Sequence, residues 1–157
     1  MRERQPSEVA RMKEQESENL GLVWIISAQE DLNLLMGEAL ETKARLHIGE
    51  EPPQGETPSS IILSPKSESI VQEIRYLKSL APEASILIFS PSDNDLRLAE
   101  EALRAGASGF IYAGMQPERI ALALSSASKD EVLIPRELLG QLLGRRLFLR
   151  LPKFLDP

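Results

Sequence analysis

Serines stand where buried apolar runs meet polar loops: Ser27 after "LVWII", Ser64 after "SIIL" and Ser90 after "SILIF". A hydroxyl at such a point can satisfy loop amides, help cradle a small anion, or act as a nucleophile if a base activates it. The base is the difficulty. The chain holds one histidine, His47, and no cysteine. Thiolate chemistry and a multi-histidine metal site within one chain are therefore excluded. A serine hydroxyl without an adjacent base is a poor nucleophile, so hydrolase chemistry at Ser64 is not expected. Ser64 and Ser90 read as strand-end serines bonded to loop amides, with a phosphate or small-anion pocket as the alternative. Asp93 and Asp95, flanking Asn94, have the composition of a metal loop. Their place just before a helical pattern favours capping and dipole complementarity instead. His47 reads as a satisfied or half-exposed ring and Trp24 as core.

The elements that position these residues follow from hydrophobic periodicity. "LVWIIS" (22–27), "SIIL" (60–63) and "ASILIFS" (84–90) are continuous apolar runs, suited to strands buried on both faces. "ARLHIG" (44–49) is a short alternating strand nearer an edge, and "SGFIYAG" (108–114) is the fifth strand. Leu32, Leu35, Met36, Ala39 and Leu40 share one helical face, as do Ile70, Ile74 and Leu77 with Val71. "PSDNDLRLAEEALRAGA" predicts a helix capped by Ser92 or Asp93 and stopped at Gly106. Pro117 fits the first turn of the next helix, with Ile120, Ala121 and Leu124 facing inward. A further helix is expected from Pro135. "EEPPQGETP" (50–58) is a loop by its proline and glycine content. Strand followed by helix, five times over, predicts an α/β fold with a five-stranded parallel sheet, doubly wound in the flavodoxin-like order 2-1-3-4-5. Function in that fold collects at the carboxyl ends of the strands, which are Ser27 to Gln29, Ser64, Ser90 and Ala113.

Composition sets outer bounds. With 157 residues, one domain with a sizeable core is expected. Hydrophobic residues at 42% and charged residues at 27% are an ordinary soluble balance. The longest apolar runs, about five residues, fall far short of the roughly 20 needed to span a bilayer. No apolar signal-peptide core opens the sequence, so the expected location is cytoplasmic. The net charge of −6 lies in residues 1–60, beyond which acids and bases balance. An acidic chain without a basic stripe argues against nonspecific nucleic-acid binding. Residues 1–20 are charged and poor in apolar side chains and read as a flexible arm or a loose solvated helix.

The stretch from "APEASILIFSPSDNDLRLAEEALRAGASGFIYAG" through "IPRELLGQLL" resembles response-regulator receiver domains, a CheY-like superfamily, and most resembles the NarL type. "LRAGASGF" carries the strongest likeness, and the resemblance covers most of residues 21–143. It implies the doubly wound fold and a phosphoryl group accepted by an aspartate after strand 3. Two acids after strand 1 would hold Mg²⁺, a Ser or Thr would follow strand 4, and a Lys would follow strand 5. Mg²⁺ needs carboxylate oxygens, and the lysine offsets phosphoryl charge. Carried over position by position, Ser64 stands at the acceptor, Ser27 and Ala28 at the acidic pair, and Ala113 at the lysine. Only Ser90 keeps the family's hydroxyl. Phe110 occupies the switch-aromatic position without a phenol. Glu30 and Asp31 come two or three residues too late, and Asp31 is expected to cap the first helix. The resemblance thus implies a pseudo-receiver: fold retained, aspartyl phosphorylation lost, no Mg²⁺ expected and no cofactor. Flavin is not expected either, because "SAQED" puts two acids where its phosphate would sit.

The expected organisation is an arm (1–20), a receiver-like domain (21–143) and an apolar, basic tail (144–157). NarL-type regulators continue into a DNA-binding helix-turn-helix, for which "GRRLFLRLPKFLDP" leaves no room, so direct DNA binding is not expected. The tail has two open readings: a segment folded back on the domain, or a docking segment for a partner, a second subunit or a membrane surface. In receivers, the helix before strand 5, strand 5 and the helix after it mediate dimerisation and output. By that resemblance the interaction face includes Arg97, Glu101, Arg104, Tyr112, Glu118 and Arg119. The expected activity is signalling through a protein partner or a second copy, with a ligand sensor in the vacated site as the alternative.

Overall fold

The apolar runs become strands β1 (Leu22–Ile26), β2 (Arg45–Ile48), β3 (Ser60–Leu63), β4 (Ser85–Ser90) and β5 (Gly109–Tyr112). Helices α1 (Glu30–Leu40), α2 (Ile70–Leu80), α3 (Leu96–Ala105) and α4 (Pro117–Ala127) connect them. The computed structural model describes residues 19–66, 69–91, 95–127 and 139–140. The expected arm and tail, the cap candidates Ser92 and Asp93, and the start of the helix predicted from Pro135 lie outside the described residues.

All strand pairs are parallel, and the order is β2-β1-β3-β4-β5, as the alternation of elements predicts. Register puts Ile26 beside Leu63, Leu63 beside Ile88, and Ile88 beside Phe110. This row faces α2 and α3, with Trp24, Ile61, Ile74, Leu77 and Ala102 packed around it. The opposite face carries Val23, Ile25, Ile62, Leu87 and Ile111 against α1 and α4. A parallel sheet covered on both sides requires apolar residues at consecutive positions, which is why β1 and β3 do not alternate. Each fully buried Leu or Ile contributes on the order of 1.5–3 kcal/mol.

Local chemistry fixes the helix ends. Ser69 caps α2 by accepting a hydrogen bond from the Gln72 amide at 3.3 Å. Asp95, not Ser92 or Asp93, is the cap of α3, its Oδ1 accepting from the Leu98 amide at 3.1 Å. Gly106 ends α3 at φ 110°, its amide donating to the Leu103 carbonyl while Ala107 donates to Ala102. That pair of bonds is a Schellman closure, which needs a left-handed residue that only glycine adopts without cost. Asp31 is not the cap of α1. The cap position is Gln29, whose side chain makes no capping bond, and Glu30 and Asp31 lie exposed in the first turn. Their charge still complements the helix dipole.

The expected alternation breaks once. Residues 49–59, which join β2 to β3, contain no helix. Pro52, Pro53 and Pro58 remove three amide donors and disfavour helical backbone in that stretch. The loop is instead tied to the sheet by side chains. The Trp24 indole donates to the Gly49 carbonyl at 2.8 Å, and His47 Nε2 lies 2.8 Å from the Glu51 carbonyl. Arg45 forms a two-pronged ion pair with Glu56. Its guanidinium holds the Glu56 carboxyl below the usual carboxylate range, chiefly through hydrogen bonding.

Candidate functional site

Four loops converge at the carboxyl edge of the sheet, after β1, β3, β4 and β5. Ser27, Ser64 and Ser90 are nearly enclosed there, at 5%, 7% and 2% exposure. The Ser27 hydroxyl accepts a hydrogen bond from the Gln29 amide at 3.0 Å. The Gln29 side chain reaches back across the cleft, its Nε2 donating to Ser64 Oγ at 3.5 Å. The Ser64 amide donates to the Ile26 carbonyl at 3.0 Å, continuing the β1–β3 pairing one step past the strand. The Ala113 amide donates to the Ser90 carbonyl at 3.3 Å, which closes the β4–β5 end in the same way. The predicted strand-end residues are thus brought together at one edge, while Ala28 and Ala113 face solvent.

Among the described residues, the hydrogen bonds at this cleft join neutral hydroxyls and one carboxamide. Carboxylates do not partner Ser27 or Ser64 in the hydrogen bonds above. Among the described residues, no three His, Asp or Glu side chains gather where they would hold a metal ion. Mg²⁺ demands near-octahedral oxygen coordination with carboxylate ligands, which the hydroxyls and carboxamide among the described residues do not supply by themselves.

Sequence reasoning overlooked Lys66, which lies two residues beyond Ser64. Its ammonium forms an ion pair with Glu50 on the β2–β3 loop, and its amide lies 3.3 Å from Glu73 Oε1. Engaged in that pair, it is not disposed as a base for Ser64. The signal was present as spacing alone, but the partner comes from a loop whose course the sequence does not specify.

Phe110 is 2% exposed and lies in the core row beneath α3, its ring stacked on Tyr112 at 6.4 Å and 12°. Tyr112 corrects the predicted interaction face. It is 7% exposed, because strand alternation sends it to the same interior side as Phe110. The remaining members are at the surface or partly so. Arg97 pairs with Glu101 at 3.1 Å and Arg104 with Glu100 at 3.3 Å along α3, while Glu118 and Arg119 are exposed on α4.

The fold, with its order 2-1-3-4-5, is that of response-regulator receiver domains. Several solved structures are similar to it. A LuxR family DNA-binding response regulator from Silicibacter pomeroyi superposes with a TM-score of 0.61 at 23% identity, covering 74% of this chain and 98% of that one. A two-component response regulator of the LuxR family from Aurantimonas sp. SI85-9A1 gives a TM-score of 0.67 at 14% identity, covering 80% and 97%. The RcsB response regulator of Salmonella typhimurium gives 0.62 at 18% identity, covering 81% of this chain and 66% of that one. No protein-family model matches the sequence, and no curated protein matches it. No helix among the described residues is long and apolar enough to cross a membrane.

Proposed function

We propose that this chain is a pseudo-receiver: a receiver-fold signalling module that works through protein–protein contact without aspartyl phosphorylation. The observation that carries this proposal is the cleft itself. Ser64 sits at the end of β3 with Gln29 Nε2 donating to it, and Ser27, Ala28 and Ala113 occupy the neighbouring loop positions. Phosphoryl transfer depends on positioning and charge neutralisation. Among the described residues, the cleft shows neither an acid cluster for a dication nor a cation at Ala113 for a phosphoryl group. With that input gone, the surface offered to a partner is held constant, and Phe110 stays packed in the core. The contact surface in this proposal is formed by α3 and α4, with Arg97, Glu101, Arg104, Glu118 and Arg119 as its charged members. The partner is a second protein or a second copy of the chain, in the cytoplasm.

The decisive experiment is incubation with acetyl phosphate and Mg²⁺, followed by intact-mass measurement. The expected result is no adduct. A stoichiometric, Mg²⁺-dependent phosphoryl adduct overturns the proposal. Sedimentation of the wild type against the charge reversals Arg97→Glu and Arg119→Glu tests the contact surface. Anion sensing in the cleft, the second reading, has the hydroxyl donors of Ser27 and Ser64 in its favour but no cation at Ala113.

A further inference from the structure

Helix α1 carries a stripe that the described residues leave uncovered. At about 100° per residue, Glu30, Asp31, Gly37, Glu38 and Glu41 all fall within about 60° of Leu34 around the helix. Leu34 is 70% exposed, more than any other large apolar side chain among the described residues. The stripe holds four carboxylates and no cation. The ion pairs of the described residues lie elsewhere, on Arg45, Lys66, Arg97 and Arg104. Glu38 and Glu41 stand at the negative end of the helix, whose last turn has no base. Gly37 is a second local cost. Glycine inside a helix is less favourable than alanine, and a Cβ at Gly37 would meet nothing within 4 Å. Packing among the described residues therefore gives no reason for it. Bare backbone beside an exposed leucine lets another segment lie close, and acids at the negative helix end call for that segment's cations.

The other helices are of mixed charge: α2 carries Glu73, Arg75 and Lys78, α3 pairs its acids with its bases, and α4 has Glu118 beside Arg119. The segment "GRRLFLRLPKFLDP" (144–157) interleaves Arg145, Arg146, Arg150 and Lys153 with leucines and phenylalanines, against the single acid Asp156. Among the described helices, its charge complements α1 alone. Topology favours the same pairing. Helices α1 and α4 share one face of the sheet, and both end at its amino edge. There the Ala127 carbonyl accepts from the Ser85 hydroxyl, at the start of β4, at 2.9 Å. The chain thus leaves α4 at the end where Glu38 and Glu41 stand. Residues 128–143 are enough to span α1, which is about 16 Å long. We propose that residues 144–157 dock on the α1 stripe of their own chain, with Arg145 and Arg146 at Glu38 and Glu41 and the apolar side chains over Leu34 and Gly37. The contact withdraws both surfaces from other proteins. It is independent of the phosphotransfer question, because it uses no residue of the serine cleft.

The chain has no cysteine, so an engineered pair reports this contact alone. Leu34→Cys is combined with Leu151→Cys in the full chain, and the control combines Leu80→Cys, exposed on α2, with Leu151→Cys. Under mild oxidation the first pair is expected to form an intramolecular disulfide about tenfold faster than the control, read by intact mass and non-reducing gel. Adding Glu38→Lys and Glu41→Lys is expected to slow closure about fivefold, the scale of exposed ion pairs. Adding Arg145→Glu and Arg146→Glu to that variant is expected to restore it. Gly37→Gln keeps a good helix former and is expected to slow closure, with the far-UV spectrum unchanged. Equal rates for the two cysteine pairs, or closure indifferent to the charge reversals, overturn the proposal. A disulfide-linked dimer in place of the internal bond also overturns it and assigns the segment to a second copy.

Discussion

Placing an acid at the end of β3 by Ser64→Asp is a demanding test of the proposed cleft chemistry. Ser64 is 7% exposed, and the side-chain donor in reach of its hydroxyl is Gln29 Nε2 at 3.5 Å. A carboxylate placed there loses most of its water and recovers one amide hydrogen bond. Leaving a buried charge so poorly compensated costs about 2 kcal/mol after that bond is counted. For a chain of this size that lowers Tm by about 4–8 °C. The pH dependence has a definite sign. Burial favours the neutral acid, so the introduced carboxyl has a folded pKa above its unfolded value of roughly 3.9. The penalty is therefore absent below the unfolded pKa, grows as pH rises, and is complete above the folded pKa. Melts of the variant and wild type at acidic and neutral pH, with and without millimolar Mg²⁺, read these quantities. The variant is expected to be destabilised at neutral pH, to recover in acid, and to ignore Mg²⁺. Adding Ser27→Asp, Ala28→Asp and Ala113→Lys supplies the remaining groups and is expected to make Tm respond to Mg²⁺. If Mg²⁺ rescues the single variant, or acetyl phosphate labels it fully, the assignment of a dication-incompetent cleft is refuted.

Asp95→Ala removes the cap bond to the Leu98 amide and is expected to cost about 1 kcal/mol, seen as a lower urea midpoint with unchanged m-value. Gly106→Ala forces a side chain into φ 110° and brings its Cβ to 2.8 Å from Lys78 Cε, so a loss of about 1–2 kcal/mol is expected. Adding Lys78→Ala should relieve the contact and leave the backbone strain, which thermal melts of the two variants will separate. Glu56→Gln tests the Arg45 pair. Because Arg45 depresses the Glu56 pKa in the fold, the support exists above the unfolded pKa and disappears as pH falls through the folded one. Wild type and variant are expected to differ at neutral pH and low salt, and to converge in acid or at high salt; divergence in acid would contradict the pair's role.

The sheet and most helix faces were legible because burial on two sides demands uninterrupted apolar runs. "LVWII", "SIIL" and "SILIFS" leave no other economical structure, and Gly106 and Pro117 mark their helix boundaries by backbone geometry alone. The five-fold alternation does not extend through residues 49–59 because Pro52, Pro53 and Pro58 disfavour a helix there, so the pattern holds for the strands and not for that crossover. Tyr112 lies inside because, two residues from Phe110 on β5, it shares that ring's side of the sheet, a parity that a surface carried over by resemblance does not register. The Asp31 cap was wrong because Gln29 begins the helix earlier than the first apolar position indicates. Convergence of Ser27, Ser64 and Ser90 followed from topology, but the Gln29 bridge did not, since a side chain spanning two loops depends on rotamers.

Both outer strands of the sheet, β2 and β5, are four residues long. On β2, Arg45 is held by Glu56 and the His47 ring is turned to the Glu51 carbonyl, so polar side chains crowd this border. A short, charged border offers few main-chain groups to an incoming peptide, which disfavours strand addition and edge-to-edge aggregation alike. Among the described elements, the exposed helix side chains are free of that constraint. Those can be exchanged singly without disturbing the sheet, which gives selection a means of retuning specificity at little risk to the fold.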